Sequence, residues 1–184
     1  MNDIYNHDKK IITLNLDKII IESLSSKLLP LKPKRWGRMD ILSKFIILGC
    51  AQTLNEAKDE LKPETGLLLA TKYGSLDTDI KYAQTISTSI NEASPILFGY
   101  TLPNIAISEA ASLFNLRGSV YATYSNESSK EDMLISIIEK ARLWLRSQNL
   151  TRSFIVCVVD FIDKNLQKQL TLNNSNQALF TWVV

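Results

Sequence analysis

Two short runs constrain the fold of this chain more than anything else in it: GLLLAT at Gly66–Thr71 and SFIVCVVDF at Ser153–Phe161. Both are too short for a buried helix and too uniformly apolar for a strand with one wet face. They read as strands buried on both faces. Such strands need helices on both sides of their sheet, and the neighbouring sequence supplies them. Asp40 can cap a helix from Ile41 to about Leu61, with Leu42, Phe45, Ile46, Gly49, Cys50, Thr53, Leu54 and Ala57 at helical spacing. Further helices are expected at Thr78–Ile90 and from about Ile105 to Phe114. Lys130–Arg146 has the clearest helical pattern, with Leu134, Ile138, Ala141 and Leu145 on one face and Glu131, Asp132 and Glu139 off it.

VYATY (Val120–Tyr124) is β-branched and aromatic, and ALFTWVV at the C-terminus is a last strand. KKIITLNLDKIIIESL fits one or two strands or a short hairpin, and SSKLLPLKPKRWGR, with two prolines and a glycine, reads as a loop. Alternating strands and helices imply right-handed crossovers, so the fold class is α/β. The expected architecture is a mixed, mostly parallel sheet of about five strands with helices on both faces. The last two strands, joined by a polar loop, are expected to run antiparallel at one edge. With no repeat, linker or low-complexity tract, residues 1–184 read as one layered domain.

Bulk properties narrow the function classes. A net charge of +2 and no Lys/Arg stripe argue against nucleic acid as a partner, and KPKRWGR at Lys32–Arg38 reads as a solvated loop. No run approaches the roughly 20 apolar residues of a membrane span, and MNDIYNHDKK lacks the features of a secretory signal. Cys50 and Cys157 lie in apolar runs, as buried hydrophobes do, and form neither a disulfide framework nor a metal site. A cytoplasmic location is expected, with no metal and no cofactor. Asp77 and Asp79 follow a glycine loop, and Asp160 and Asp163 follow a strand end. Without Cys or His at ligand spacing, these aspartates read as caps and turns. No P-loop and no G-x-S-x-G elbow occur.

Three segments, however, occur together in an order that generic α/β sequence does not produce: TGLLLATKYGSLDTD (Thr65–Asp79), SPILFGYTLPNIAISEAASLFNLRG (Ser94–Gly118) and GSVYAT (Gly118–Thr123). Through them the chain, from about Arg35 onward, resembles the N-terminal half of a β-ketoacyl synthase, which has the thiolase fold. The resemblance implies a three-layer thiolase-like half, with the C-terminal half absent. It makes GLLLAT the second strand, VYATY the strand before the nucleophile and Ser94–Asn104 the loop that helps line the partner's acyl tunnel. Where that family places a cysteine at a helix N-terminus, this sequence has Glu127, with Asn126, Ser128 and Ser129 beside it. The single histidine, His7, lies in a polar tail and not in a catalytic pair. No catalytic residue is therefore assigned.

What the resemblance implies is a catalytically inactive subunit, close in character to a chain length factor. It would pair as a heterodimer with a full-length, active β-ketoacyl-ACP synthase and shape the chain tunnel in fatty-acid or polyene/polyketide biosynthesis. Acyl carrier protein is a further expected partner. Phe98, Tyr100 and Thr101 are expected at the tunnel wall and Tyr121 and Thr123 at the strand interface. Two alternatives stay open: a self-associating acyl-binding or scaffold domain, and an enzyme using Ser128, Ser129 or Glu127 on carrier-linked substrates.

Overall fold

The computed structural model describes residues 10–57, 60–61, 63–88, 92–147, 150–172 and 177–184. The two apolar runs form β2 (Thr65–Thr71) and β4 (Ser153–Val158), buried along their whole length and paired in parallel at the centre of a sheet. Their side chains alternate between two cores, as a strand's period of two requires. Leu67, Leu69, Ile155 and Cys157 join one core. Leu68, Ala70, Phe154, Val156 and Val158 join the other. On the first side lie α1 (Ile21–Leu28), α2 (Ile41–Ala57) and α5 (Pro103–Leu113). The second side is covered by α6 (Lys130–Ser147) through Met133, Leu134, Ile137 and Ala141.

The sheet order is β1-β5-β4-β2-β3, where β1 is Ile12–Asn15, β3 is Val120–Tyr124 and β5 is Gln177–Val183. β2 pairs in parallel with both β3 and β4, while β5 runs antiparallel to β4 and to β1. The expected antiparallel final pair is present, but β5 is not an edge strand. β1 covers it, with Ile12 opposite Phe180 and Leu14 opposite Ala178. The N-terminal segment is therefore one strand and not a hairpin. Ile12 and Leu14 alternate inward with exposed neighbours, after which IIIESL turns helical and opens α1.

The connection between the last two strands carries a short helix, α7 (Lys164–Gln169), which a polar-loop reading missed. Asp163 caps it by accepting the Asn165 amide at 3.0 Å. α2 begins where expected, with Asp40 Oδ1 accepting the Ser43 amide at 2.9 Å. α3 (Leu76–Thr88) begins two residues before the expected Thr78, and the expected end at Ile90 lies outside the described residues. The Ser94–Asn104 loop contains one further turn of helix, α4 (Pro95–Phe98). KPKRWGR is not simply solvated: Trp36 is buried and its indole N–H donates to Glu22. Among the described residues no helix is long and apolar enough to cross a membrane.

Candidate functional site

The parallel strands β2, β3 and β4 all end on one side of the sheet, the side on which α/β folds gather ligand-binding groups. The loop after β2, the Ser125–Ser129 segment before α6 and the residues after β4 meet there around a cavity of about 240 Å³. Lys72, Tyr73, Glu127, Ser129, Lys130 and Asp160 are among its lining residues.

Asp160, almost fully buried, organises this end. Its Oδ1 accepts from the Thr71 hydroxyl at 2.5 Å and from the Lys72 and Tyr73 amides at 2.9 Å each. Thr71 Oγ1 in turn accepts the Gly74 amide at 2.8 Å, where φ of +56° suits glycine. Burial pushes the Asp160 carboxyl above its ordinary range, opposed by these hydrogen bonds and by Lys130.

Lys130 opens α6 and donates through Nζ to the Gln177 carbonyl. Burial holds its ammonium below the ordinary lysine range, against the pull of Asp160 and Glu131. Ser129 caps the helix by accepting the Asp132 amide at 3.0 Å, and its hydroxyl donates to the Asp132 carboxylate. Glu127 stands exposed just before this cap, its amide donating to Ser125 Oγ and its Oε1 accepting from Ser136. At the entry to α6, then, are a carboxylate and two serines. Cys50 and Cys157 lie fully buried in α2 and β4, where burial raises both thiols. His7 is outside the described residues.

The other segments singled out by sequence are placed as follows. Ser94 caps α4 by accepting the Leu97 amide. Phe98, 62 % exposed, packs against Tyr82 with ring centroids 5.5 Å apart. Tyr100 turns inward, and its hydroxyl donates to Glu109, which also pairs with Arg35. Burial and then Glu109 raise the Tyr100 hydroxyl. Thr101 turns back to donate to the Phe98 carbonyl. Only Tyr100 of these three lines the adjacent 480 Å³ cavity, together with Arg35, Arg38, Ile96, Ile105 and Glu109. On β3, Tyr121 packs on Trp144 of α6 at 5.5 Å, and Thr123 Oγ1 accepts from Lys140.

Three of the four aspartates singled out in the sequence have structural partners. Asp163 is a cap, Asp160 pins a loop, and Asp77 pairs with Lys81 and accepts the Asp163 amide at 3.0 Å. Among the described residues no group of three or more His, Cys, Asp or Glu side chains is placed to hold a metal ion.

Asp79 is the exception, for its buried Oδ1 has no hydrogen-bond partner among the described residues. It sits near Asp40, which also accepts from the Thr78 hydroxyl at 3.1 Å, and burial and the Asp40 charge both raise its carboxyl. A carboxyl whose folded value is raised binds its proton more tightly folded than unfolded, so stability falls as pH rises through that value. Asp79→Asn should raise the urea midpoint at neutral pH. The gain should shrink as pH falls towards about 4 and close below it, where the wild-type group is protonated in both states. A lower midpoint for the variant at neutral pH would show instead that the charge is needed.

No protein-family model matches the sequence, and none of the curated proteins does. Solved structures match closely in shape. A ketosynthase/chain length factor from the ishigamide system aligns with a TM-score of 0.64 at 15 % identity, over 86 % of this chain and 47 % of that one. A ketosynthase in complex with its chain length factor from Xenorhabdus doucetiae aligns at 0.65 and 10 % identity, over 96 % and 76 %. A β-ketoacyl synthase from Burkholderia phymatum STM815 aligns at 0.61 and 13 % identity, over 84 % and 45 %. The chain has a ketosynthase-like, thiolase-type fold. It spans about half the length of the first of these structures.

Within that ketosynthase-like fold, sequence reading located the strand and the helix entry but missed Lys72, Lys130 and Gln177. One signal was available: a lysine in the first turn of a helix opposes the helix dipole, a local conflict that marks a position set by tertiary contacts.

Proposed function

We propose that this chain is a non-catalytic, chain-length-factor-like subunit, a single ketosynthase N-terminal-like domain that pairs with an active β-ketoacyl-ACP synthase. The observation that carries this reading is the open edge of β3 in a ketosynthase-like fold. Among the described residues β3 ends the sheet with only β2 beside it, and it displays Tyr121 at 45 % and Tyr124 at 64 % exposure. An apolar, aromatic edge of this kind favours a permanent partner. Glu127, Ser128 and Ser129 at the entry to α6, where ketosynthases carry the cysteine, support a partner that is itself the catalyst. On this reading Tyr121 and Thr123 belong to the interface. Phe98, Tyr100 and Thr101 contribute to the wall of the chain tunnel, and acyl carrier protein delivers the chain. Solved similar structures that are themselves ketosynthase–chain length factor pairs support the assignment.

Light scattering on the chain alone, and then co-expressed with the ketosynthase encoded nearest to it, tests the proposal. A stable one-to-one complex is expected. A well-behaved homodimer that ignores the ketosynthase would overturn it and favour the self-associating scaffold.

A further inference from the structure

The KPKRWGR loop has no part in the pairing of β3, yet it is held as a fixed platform. Buried Trp36 anchors it, with its indole N–H donating to Glu22 and Lys44 Nζ 5.6 Å from its ring centroid. Amides close the turn itself: Trp36 donates to the Pro33 carbonyl at 2.9 Å and Arg38 to the Arg35 carbonyl at 2.8 Å. Trp36–Arg38 is a 3₁₀ turn, and in that geometry side chains three residues apart stand on one face. Arg35 and Arg38 share such a face, and both line the 480 Å³ cavity beside α4 and α5.

The two arginines differ in what they hold. Arg35 pairs with Glu109, which also accepts from Tyr100, so that carboxylate is already answered from two sides. Arg38 is exposed and, among the described residues, has no carboxylate partner. Its guanidinium is a planar fork of donors suited to a carboxylate or a phosphate. The rest of the wall is largely apolar: Pro95, Ile96, Gly99 and Ile105 line it, and Ile96 is half exposed. The volume falls within the roughly 300–1,000 Å³ of small-molecule sites. One unanswered cation beside an apolar wall is complementary to a molecule anionic at one end and apolar along its body.

We propose that this cavity binds a small amphiphilic anion, its acid group held by Arg38 and its apolar body laid against Ile96, Gly99 and Ile105. The site goes beyond the pairing of β3 and is built entirely from this chain, so it stands or falls without a ketosynthase. Glycine at 99 leaves the room. Its φ of −59° suits any residue, and a Cβ there would meet only the Ile96 and Pro95 carbonyl oxygens, at 3.5 and 3.7 Å. A larger side chain at 99 can therefore occupy the cavity without straining the backbone.

Calorimetric titration of the purified full chain with octyl phosphate, octanoate and octanol, each kept below any micelle-forming concentration, tests the site. Both anions should bind and octanol should not. The tighter of the two anions tells a phosphorylated ligand from a carboxylic acid. Arg38→Gln should weaken both anions roughly tenfold, the worth of one hydrogen bond to a charged group. Gly99→Leu should weaken them at least as much by filling the cavity. Arg146→Gln, which removes an exposed charge at the end of α6, should change nothing. Urea midpoints show that the variants remain folded, and Gly99→Val replaces Gly99→Leu if the larger side chain unfolds the chain. Absence of anion binding would overturn the proposal. So would anion binding that survives the filling of position 99, since the arginines would then act as an open charged surface. An equal loss in Arg146→Gln would reduce the effect to net charge, and octanol binding as tightly as the anions would leave Arg38 without a role; either result sinks the site.

Discussion

Gly118→Ala should be strongly damaging for so small a change, lowering the urea midpoint by an amount equivalent to about 3 kcal/mol. The turn from α5 into β3 crosses directly over the start of β2. Arg117 donates to the Pro63 carbonyl at 2.7 Å, Gly118 to the Thr65 carbonyl at 3.0 Å, and Leu67 to the Ser119 carbonyl at 2.9 Å. A Cβ at position 118 would press on the Gly66 nitrogen and lie 2.6 Å from the Glu64 oxygen and the Thr65 carbonyl carbon. All three are backbone atoms, so no rotamer change relieves the clash. The relief available is to draw β3 away from β2, which gives up the edge proposed to hold the partner. The variant should therefore lose stability and complex formation together. Gly37→Ala is the control, because a Cβ there meets nothing within 4 Å, and its midpoint should barely move. Equal midpoints for the two variants would mean that the crossing is not tight.

That crossing shows where sequence reading reaches its limit. The central strands were legible because burial on both faces removes polar residues from a short run, a signal contained in the run itself. α6 was legible because one helical stripe faces one core, as Met133, Leu134, Ile137 and Ala141 show. The place of β1 was not legible, since Ile12 pairs with Phe180 from the other end of the chain and nothing local encodes that partner. α7 escaped because its six residues bury none of their side chains, leaving no periodicity to read. Trp36 escaped because four basic residues around it give KPKRWGR the composition of a wet loop, although its indole is buried.

The candidate site divides the same way. Glu127 was found through the resemblance, which supplies the order of segments. Asp160 acts on residues 87–89 positions away, so its role appears only when the sheet assembles it.

Asp160 provides the second large effect. One carboxylate oxygen at the end of β4 serves a hydroxyl and two amides from the loop that leaves β2. Asp160→Ala orphans all three donors and should cost about 2–4 kcal/mol, part of it recovered where the exposed Lys72 segment can rehydrate. Asp160→Asn keeps the accepting oxygen and removes a charge that burial penalises. Because burial raises the wild-type carboxyl, its ionisation works against folding, and that cost grows as pH rises through the raised value. The Asn variant should therefore match or exceed wild type at neutral pH and lose that advantage towards about pH 4. Urea denaturation of both variants at neutral and acid pH separates the contributions. If Asn proved as damaging as Ala at neutral pH, the negative charge itself would be what holds the loop, with Lys130 as the group it answers to. If Ala proved as stable as Asn, the three hydrogen bonds would not be holding the mouth of this cavity.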